Sequence, residues 1–169
     1  MGGTAPDAPV APDDYLAVNP YCFTPPVSPH IAAAEEGVRI APAPIVDALR
    51  ALRQRAEVVL VEGVGGFRVP LADDYDSADL AAELALPVIL VVGLRLGCIN
   101  HALLTVEAID RRGLQLAGWI GNQIDPQMLR AAQNIDSLRE RIPAPLLGVL
   151  PWRERPDPAT DAGHLRLPD

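Results

Sequence analysis

The feature that most limits the fold is a set of short runs that stay apolar from one residue to the next: Val58-Val59-Leu60-Val61, Val88 to Val92, Leu116 to Gly121 and Leu146 to Leu150. A strand with water on one side alternates apolar and polar residues, because successive side chains point to opposite faces. These runs do not alternate, so each reads as a strand covered on both faces. Between them lie stretches with helical spacing of about 10–15 residues. That order predicts an α/β protein: a parallel sheet with helices on both faces and right-handed crossovers.

Local signals place the helices. Ser28-Pro29 is an N-cap and N1 pair opening a short helix, Ile31 to Glu36, stopped by Gly37. Ile45, Leu49 and Leu52 share one face of a helix spanning Pro44 to Gln54. Asp76 can cap a helix through Leu80 and Leu84, which Pro87 ends. Ile99 to Arg112 is helical with Gly113 as its stop, and Gln127 to Arg141 is a further helix. Residues 1–27 are rich in Pro, Ala and Asp without periodicity, and 1–14 are expected to be a disordered leader. Residues 15–157 are expected to form one α/β domain, and 158–169 a polar tail.

Composition removes several functions. All fourteen Lys+Arg residues are arginine, so these 169 residues contain no Schiff-base lysine, no lysine general base and no P-loop lysine. Twenty-two acidic residues give a net charge of -8, which opposes binding to nucleic acid or to an anionic membrane surface. Cys22 and Cys98 lack metal or disulfide spacing, and His30, His101 and His164 are scattered. The longest apolar run, Leu84 to Leu94, contains Pro87 and is shorter than the roughly 18 residues of a membrane span. No basic, apolar targeting segment opens the chain, so a cytoplasmic location is expected.

In an open parallel sheet, ligands bind beyond the carboxyl ends of the strands. Four segments therefore matter: Glu62–Gly66, Leu94–Asn100, Gly121–Asp125 and Pro151–Arg155. Glu62 ends a strand ahead of a glycine-rich turn. It can hold Mg²⁺ while the amides of Gly63, Gly65 and Gly66 approach an anion, or it can be a solvated strand exit. Gly97-Cys98-Ile99-Asn100 opens a helix whose free N–H groups suit a carboxylate, although ordinary capping explains the same residues. Asn122 can read a purine through its amide, or it can belong to a turn before Asp125-Pro126.

Taken together the strings are more specific. Asn19-Pro20-Tyr21-Cys22-Phe23 with Ser28-Pro29-His30 is followed by Val61-Glu62-Gly63-Val64-Gly65-Gly66. Pro87 to Gly93 then runs into Leu96-Gly97-Cys98-Ile99-Asn100-His101-Ala102-Leu103-Leu104-Thr105. Gly118-Trp119-Ile120 with Asn122, and Pro145-Leu146-Leu147-Gly148 with Pro151-Trp152, complete the set. In this order they resemble the ATP-dependent dethiobiotin synthetases of biotin biosynthesis, from Tyr15 to Asp157.

The resemblance implies a P-loop NTPase-like fold, a homodimer, and ATP with Mg²⁺. The implied reaction joins CO₂ to 7,8-diaminononanoate, phosphorylates the carbamate with MgATP and closes the ureido ring. By position, Glu62 resembles the Mg²⁺ ligand, and Gly63, Val64 and Gly65 lie against nucleotide, with Gly65 and Gly66 against substrate. Asn122 and Gln123 resemble the adenine readers; Pro151, Trp152 and Arg153 the loop over the base; and Asp157 an acidic contact there. Gly97, Cys98, Ile99 and Asn100 resemble the helix start that receives the substrate carboxylate across the dimer interface.

Members of that family begin with a strand and a P-loop ending in Lys-Thr, followed by a catalytic lysine. The chain is accordingly expected to be an N-terminally truncated form, the carboxyl-terminal three-quarters of such an enzyme. Inactivity on its own is expected, no catalytic residue is assigned, and the alternative is a catalytically dead relative serving as a dimerisation or interaction module.

Overall fold

The computed structural model describes residue 15 and residues 17–168, so the expected leader, residues 1–14, lies outside the described residues. The chain divides into two compact units, Met1–Glu83 and Leu84–Asp169.

The first unit holds helices α1 (Pro29–Glu35) and α2 (Pro42–Arg53), a short antiparallel pair β1 (Pro70–Ala72) and β2 (Tyr75–Asp76), and the start of α3 (Ser77–Leu84). Helix α1 begins with proline at its first position, as its sequence predicts, and Gly37 stops it at φ +67°. The Gly37 and Val38 amides donate back to the carbonyls of Ala34 and Ala33, the closure that a left-handed residue permits. Ala33, Ile40 and Leu71 form a small core flanked by Tyr21, Phe23, Ile45, Tyr75 and Leu80.

One expected strand does not form. Val58-Val59-Leu60-Val61 has no ladder partner among the described residues, and Val58 and Leu60 are 75% and 83% exposed. An apolar run becomes a strand only when a neighbour takes its backbone N–H and C=O groups, and composition cannot report that neighbour.

The second unit is built on a parallel sheet of β3 (Val88–Leu94), β4 (Leu116–Gln123) and β5 (Leu146–Leu150), in that order. Helix α4 (Cys98–Arg111) packs on β3 and β4, and α5 (Ala131–Arg141) packs on α4. The α/β class, with a parallel sheet flanked by helices, is the class expected. The core gathers Val92, Leu94, Cys98, Ala102, Trp119, Leu138 and Ile142, with Trp119 and Leu94 fully buried. Aliphatic residues dominate it, consistent with an aromatic content of 4%.

Gly113 ends α4 as predicted, at φ +66°, with its amide on Asp110 O (2.8 Å) and the Leu114 amide on Ile109 O (3.3 Å). Helix α5 starts four residues later than its periodicity suggests. Asp125 accepts the Gln127 N–H at 2.9 Å, which holds residues 125–128 in a turn, and Arg130 stands at φ +57° before the helix.

The residues expected as a polar tail are structured. Helix α6 (Pro158–Asp161) and a 3₁₀ turn (Ala162–His164) return the chain to β5. There Leu165 bridges Gly148 antiparallel and the Arg166 N–H donates to Leu147 O at 2.9 Å, covering an otherwise open edge. Among the described residues, no helix is long and apolar enough to cross a membrane.

Candidate functional site

In the second unit, register brings the strand ends side by side. Asn122 is opposite Gly93 on β3 and opposite Leu150 on β5. The segments that leave these ends, Leu94–Asn100, Gln123–Asp125 and Pro151–Arg153, therefore share the carboxyl edge of one parallel sheet. That edge is where the fold class places ligands.

Gly97 adopts φ +94° at the start of α4, in the left-handed region that favours glycine. No side chain caps this end of the helix. The Cys98 N–H donates to Arg95 O at 3.0 Å, and the helical bonds begin with His101 N–H to Gly97 O at 3.2 Å. Ile99 and Asn100 thus occupy the first turn, whose amides have no acceptor within the helix. Asn100 is exposed, whereas Cys98 is buried at the base of the core. Gly97 is the N-cap and offers no side-chain acceptor, and first-turn amides of this kind suit an anion.

Gln123 and Trp152 are brought together: the Gln123 side-chain oxygen accepts the Trp152 N–H at 3.3 Å. Trp152 is 46% exposed. Arg153 is engaged elsewhere, donating to Asp161 Oδ1 at 2.6 Å. Asp157 caps α6, accepting the Thr160 N–H at 3.3 Å and its hydroxyl at 2.6 Å. Those bonds from Thr160, with a smaller contribution from the Arg153 charge, hold the Asp157 carboxyl below its ordinary range.

In the first unit, Glu62, Gly63, Val64, Gly65 and Gly66 are all exposed. Gly65 has φ +81°, and a Cβ there would stand 3.2 Å from the Val69 side chain, so the turn folds tightly on itself. Among the described residues, no three His, Cys, Asp or Glu side chains gather into a metal site. Glu62 would supply a single carboxylate. That suits Mg²⁺, which takes one or two protein carboxylates and completes its shell with phosphate and water.

Asp76, identified as a cap by sequence, makes a reciprocal arrangement. Its Oδ1 accepts the Ala78 and Asp79 amides at 2.8 and 2.9 Å, and Asp79 Oδ2 accepts the Asp76 N–H at 2.9 Å. The Asp-x-x-Asp spacing carries that signal. Arg68, which sequence reading passed over, donates to Asp76 Oδ2 from the glycine-rich turn.

A family model described as an AAA domain matches residues 5–160. The chain is 69% identical over 151 residues to a protein of Aromatoleum aromaticum named ATP-dependent dethiobiotin synthetase BioD, covering 89% of this chain and 67% of that protein. A protein of the same name from Xanthomonas axonopodis pv. citri is 55% identical over 155 residues, covering 92% of this chain and 69% of the relative. One from Pseudomonas aeruginosa is 52% identical over 154 residues, covering 90% and 68%.

Proposed function

The chain belongs to the ATP-dependent dethiobiotin synthetase family, and on that premise we propose how its residues divide the work of the site. The family's reaction is MgATP-dependent ureido ring closure on 7,8-diaminononanoate with CO₂, in biotin biosynthesis. The observation that carries this function is the 69% identity over 151 residues.

The first turn of α4 binds the substrate carboxylate. Gly97 lets the chain turn into the helix, and the Ile99 and Asn100 amides face an anion with the positive end of the helix dipole behind them. Such placement contributes about 0.3–1 kcal/mol at an exposed site and about 2 kcal/mol in a partly buried one. The neighbouring Leu96 and Leu104 are 90% and 56% exposed, which favours a second copy of the chain covering this end of α4. The carboxylate site then lies at a homodimer interface.

Asn122 and Gln123 read the base. An amide side chain donates and accepts at once, matching the edge of adenine. The Gln123–Trp152 hydrogen bond positions the Pro151–Arg153 loop beside them, and the exposed indole is available to stack on a base. Arg153 and Asp157 order the segment after that loop through Asp161 and Thr160. Glu62 would hold Mg²⁺, and the Gly63 and Gly65 amides approach the phosphates, the Gly66 amide being taken by Val64 O. When bound, Mg²⁺ neutralises charge on the phosphates.

Amide shifts on titration test this division. The diaminononanoate is expected to move Gly97–Asn100, and MgATP to move Gly63–Gly66 and Asn122–Gln123. Shifts from the diamino acid that spare Gly97–Asn100 would remove the carboxylate assignment. The absence of lysine favours a second reading, in which these 169 residues by themselves act as a dimerisation or interaction module. Sedimentation showing only monomer would count against it.

A further inference from the structure

The glycine-rich turn is held from outside itself. Within residues 63–68, one short backbone bond, Gly66 N–H to Val64 O at 3.0 Å, supports the fold of the turn. Its backbone is held further by Ser77, the first residue of α3. Its Oγ accepts the Val69 N–H at 2.9 Å and donates to Phe67 O at 2.8 Å, with Gly66 O at 3.2 Å as a second acceptor. The Ser77 N–H donates to Val69 O at 2.9 Å. One residue thus bridges the exit of the turn through both its backbone and its hydroxyl.

The hydroxyl is not needed for the helix. Asp76 already takes the Ala78 and Asp79 amides, and Asp79 takes the Asp76 amide in return. A serine capping its own helix would spend its oxygen on those amides, whereas Ser77 spends it on residues 66–69. The ion pair of Arg68 with Asp76 also ties the turn to α3, but through a side chain at residue 68, whereas Ser77 holds the backbone atoms of residues 66, 67 and 69.

We propose that Ser77 is the positioning residue of the glycine-rich turn, fixing the backbone from Gly63 to Val69 so that its amides and Glu62 meet the nucleotide together. This rests on the reading that Glu62–Gly66 faces MgATP. Removing the hydroxyl leaves Val69 N–H and Phe67 O without their partner, and the turn then samples shapes in which its amides no longer converge.

Amide hydrogen exchange with and without MgATP tests this in the full chain. In Ser77→Ala the Val69 amide is expected to exchange at least about tenfold faster, with the Ala81–Leu84 amides changed by less than about twofold. MgATP is expected to protect the Gly63 and Gly65 amides in the wild type and not in Ser77→Ala. Ser77→Thr, which keeps the hydroxyl, is expected to restore both.

Retained MgATP protection in Ser77→Ala, an unchanged Val69 amide, or failure of Ser77→Thr to rescue would each overturn the proposal. An absence of MgATP protection in the wild type would instead overturn the nucleotide reading, and the proposal with it. If Ser77→Ala also loses the α3 amides, Ser77→Cys decides by the same readouts, since it keeps the volume with a weaker donor and acceptor.

Discussion

Gln123 accepts the Trp152 backbone N–H through its side-chain oxygen at 3.3 Å, tying the end of β4 to the loop that leaves β5. The bond is exposed, so its contribution to stability is at the low end of about 0.5–1.5 kcal/mol. Its consequence is positional. Gln123→Ala is expected to leave the melting temperature nearly unchanged while freeing the Trp152 loop. Of the two tryptophans, Trp119 is fully buried, so collisional quenching of fluorescence reports on Trp152. Quenching should rise and MgATP affinity should fall several-fold; unchanged quenching would show that the bond does not order the loop.

Two glycines in the sheet respond differently from two others. A Cβ on Gly148 would stand 2.0 Å from the backbone oxygen of His164, and one on Gly118 would stand 2.6–2.8 Å from the buried Leu147 side chain. Gly148→Ala and Gly118→Ala are each expected to destabilise the second unit by about 1–3 kcal/mol in urea unfolding. Gly148→Ala should additionally release the Arg166 amide to exchange. Gly93→Ala presses first on the end of Ile124, which is 48% exposed and free to turn away, and Gly163→Ala meets nothing within 4 Å. Both are expected to cost less than about 1 kcal/mol. Equal effects at all four positions would refute the close-approach argument.

Acid lability is expected at Asp76. Its burial alone would raise the carboxyl pKa, but hydrogen bonds from the Asp79 backbone and from Arg68, with the Arg68 charge, together lower it below the ordinary value. A group depressed on folding adds stability above its unfolded pKa of about 3.9 and loses it as pH falls through the folded value. Asp76→Asn should keep the cap while flattening stability against pH below about pH 4. An acid limb identical to wild type would place the lability elsewhere.

Phosphoryl transfer is the property that composition constrains. Fourteen arginines and no lysine leave these residues without the ammonium that grips a transferring phosphate. Purified as these 169 residues alone, the protein is expected to release no substrate-dependent ADP above background. A coupled assay that detects such release would overturn this.

Signals that live within one turn of chain were legible in advance. Gly37 and Gly113 stop their helices because a left-handed residue is needed there, and Asp76 caps α3 because the first helical amides need an acceptor nearby. The three runs that became β3, β4 and β5 were readable because each finds a neighbour in sequence order. Val58-Val59-Leu60-Val61 has the same character and no ladder among the described residues, since pairing belongs to two segments and not to one. The start of α5 was misplaced because the Asp125 turn competes with the helix for the same residues. Residues 158–169 read as a polar tail from sequence because the contact of Leu165 and Arg166 with β5 runs through backbone atoms.

By itself, the sequence determined the α/β class, the family, and that no lysine lies within these 169 residues, because apolar runs, ordered motifs and composition are properties of the chain alone. Only tertiary structure decided that Gly93, Asn122 and Leu150 stand abreast, that Gln123 holds Trp152, and that the Ser77 hydroxyl serves a turn eight to eleven residues earlier. Hydrogen bonds of that kind depend on where distant atoms are brought by packing, and no local propensity encodes their partners.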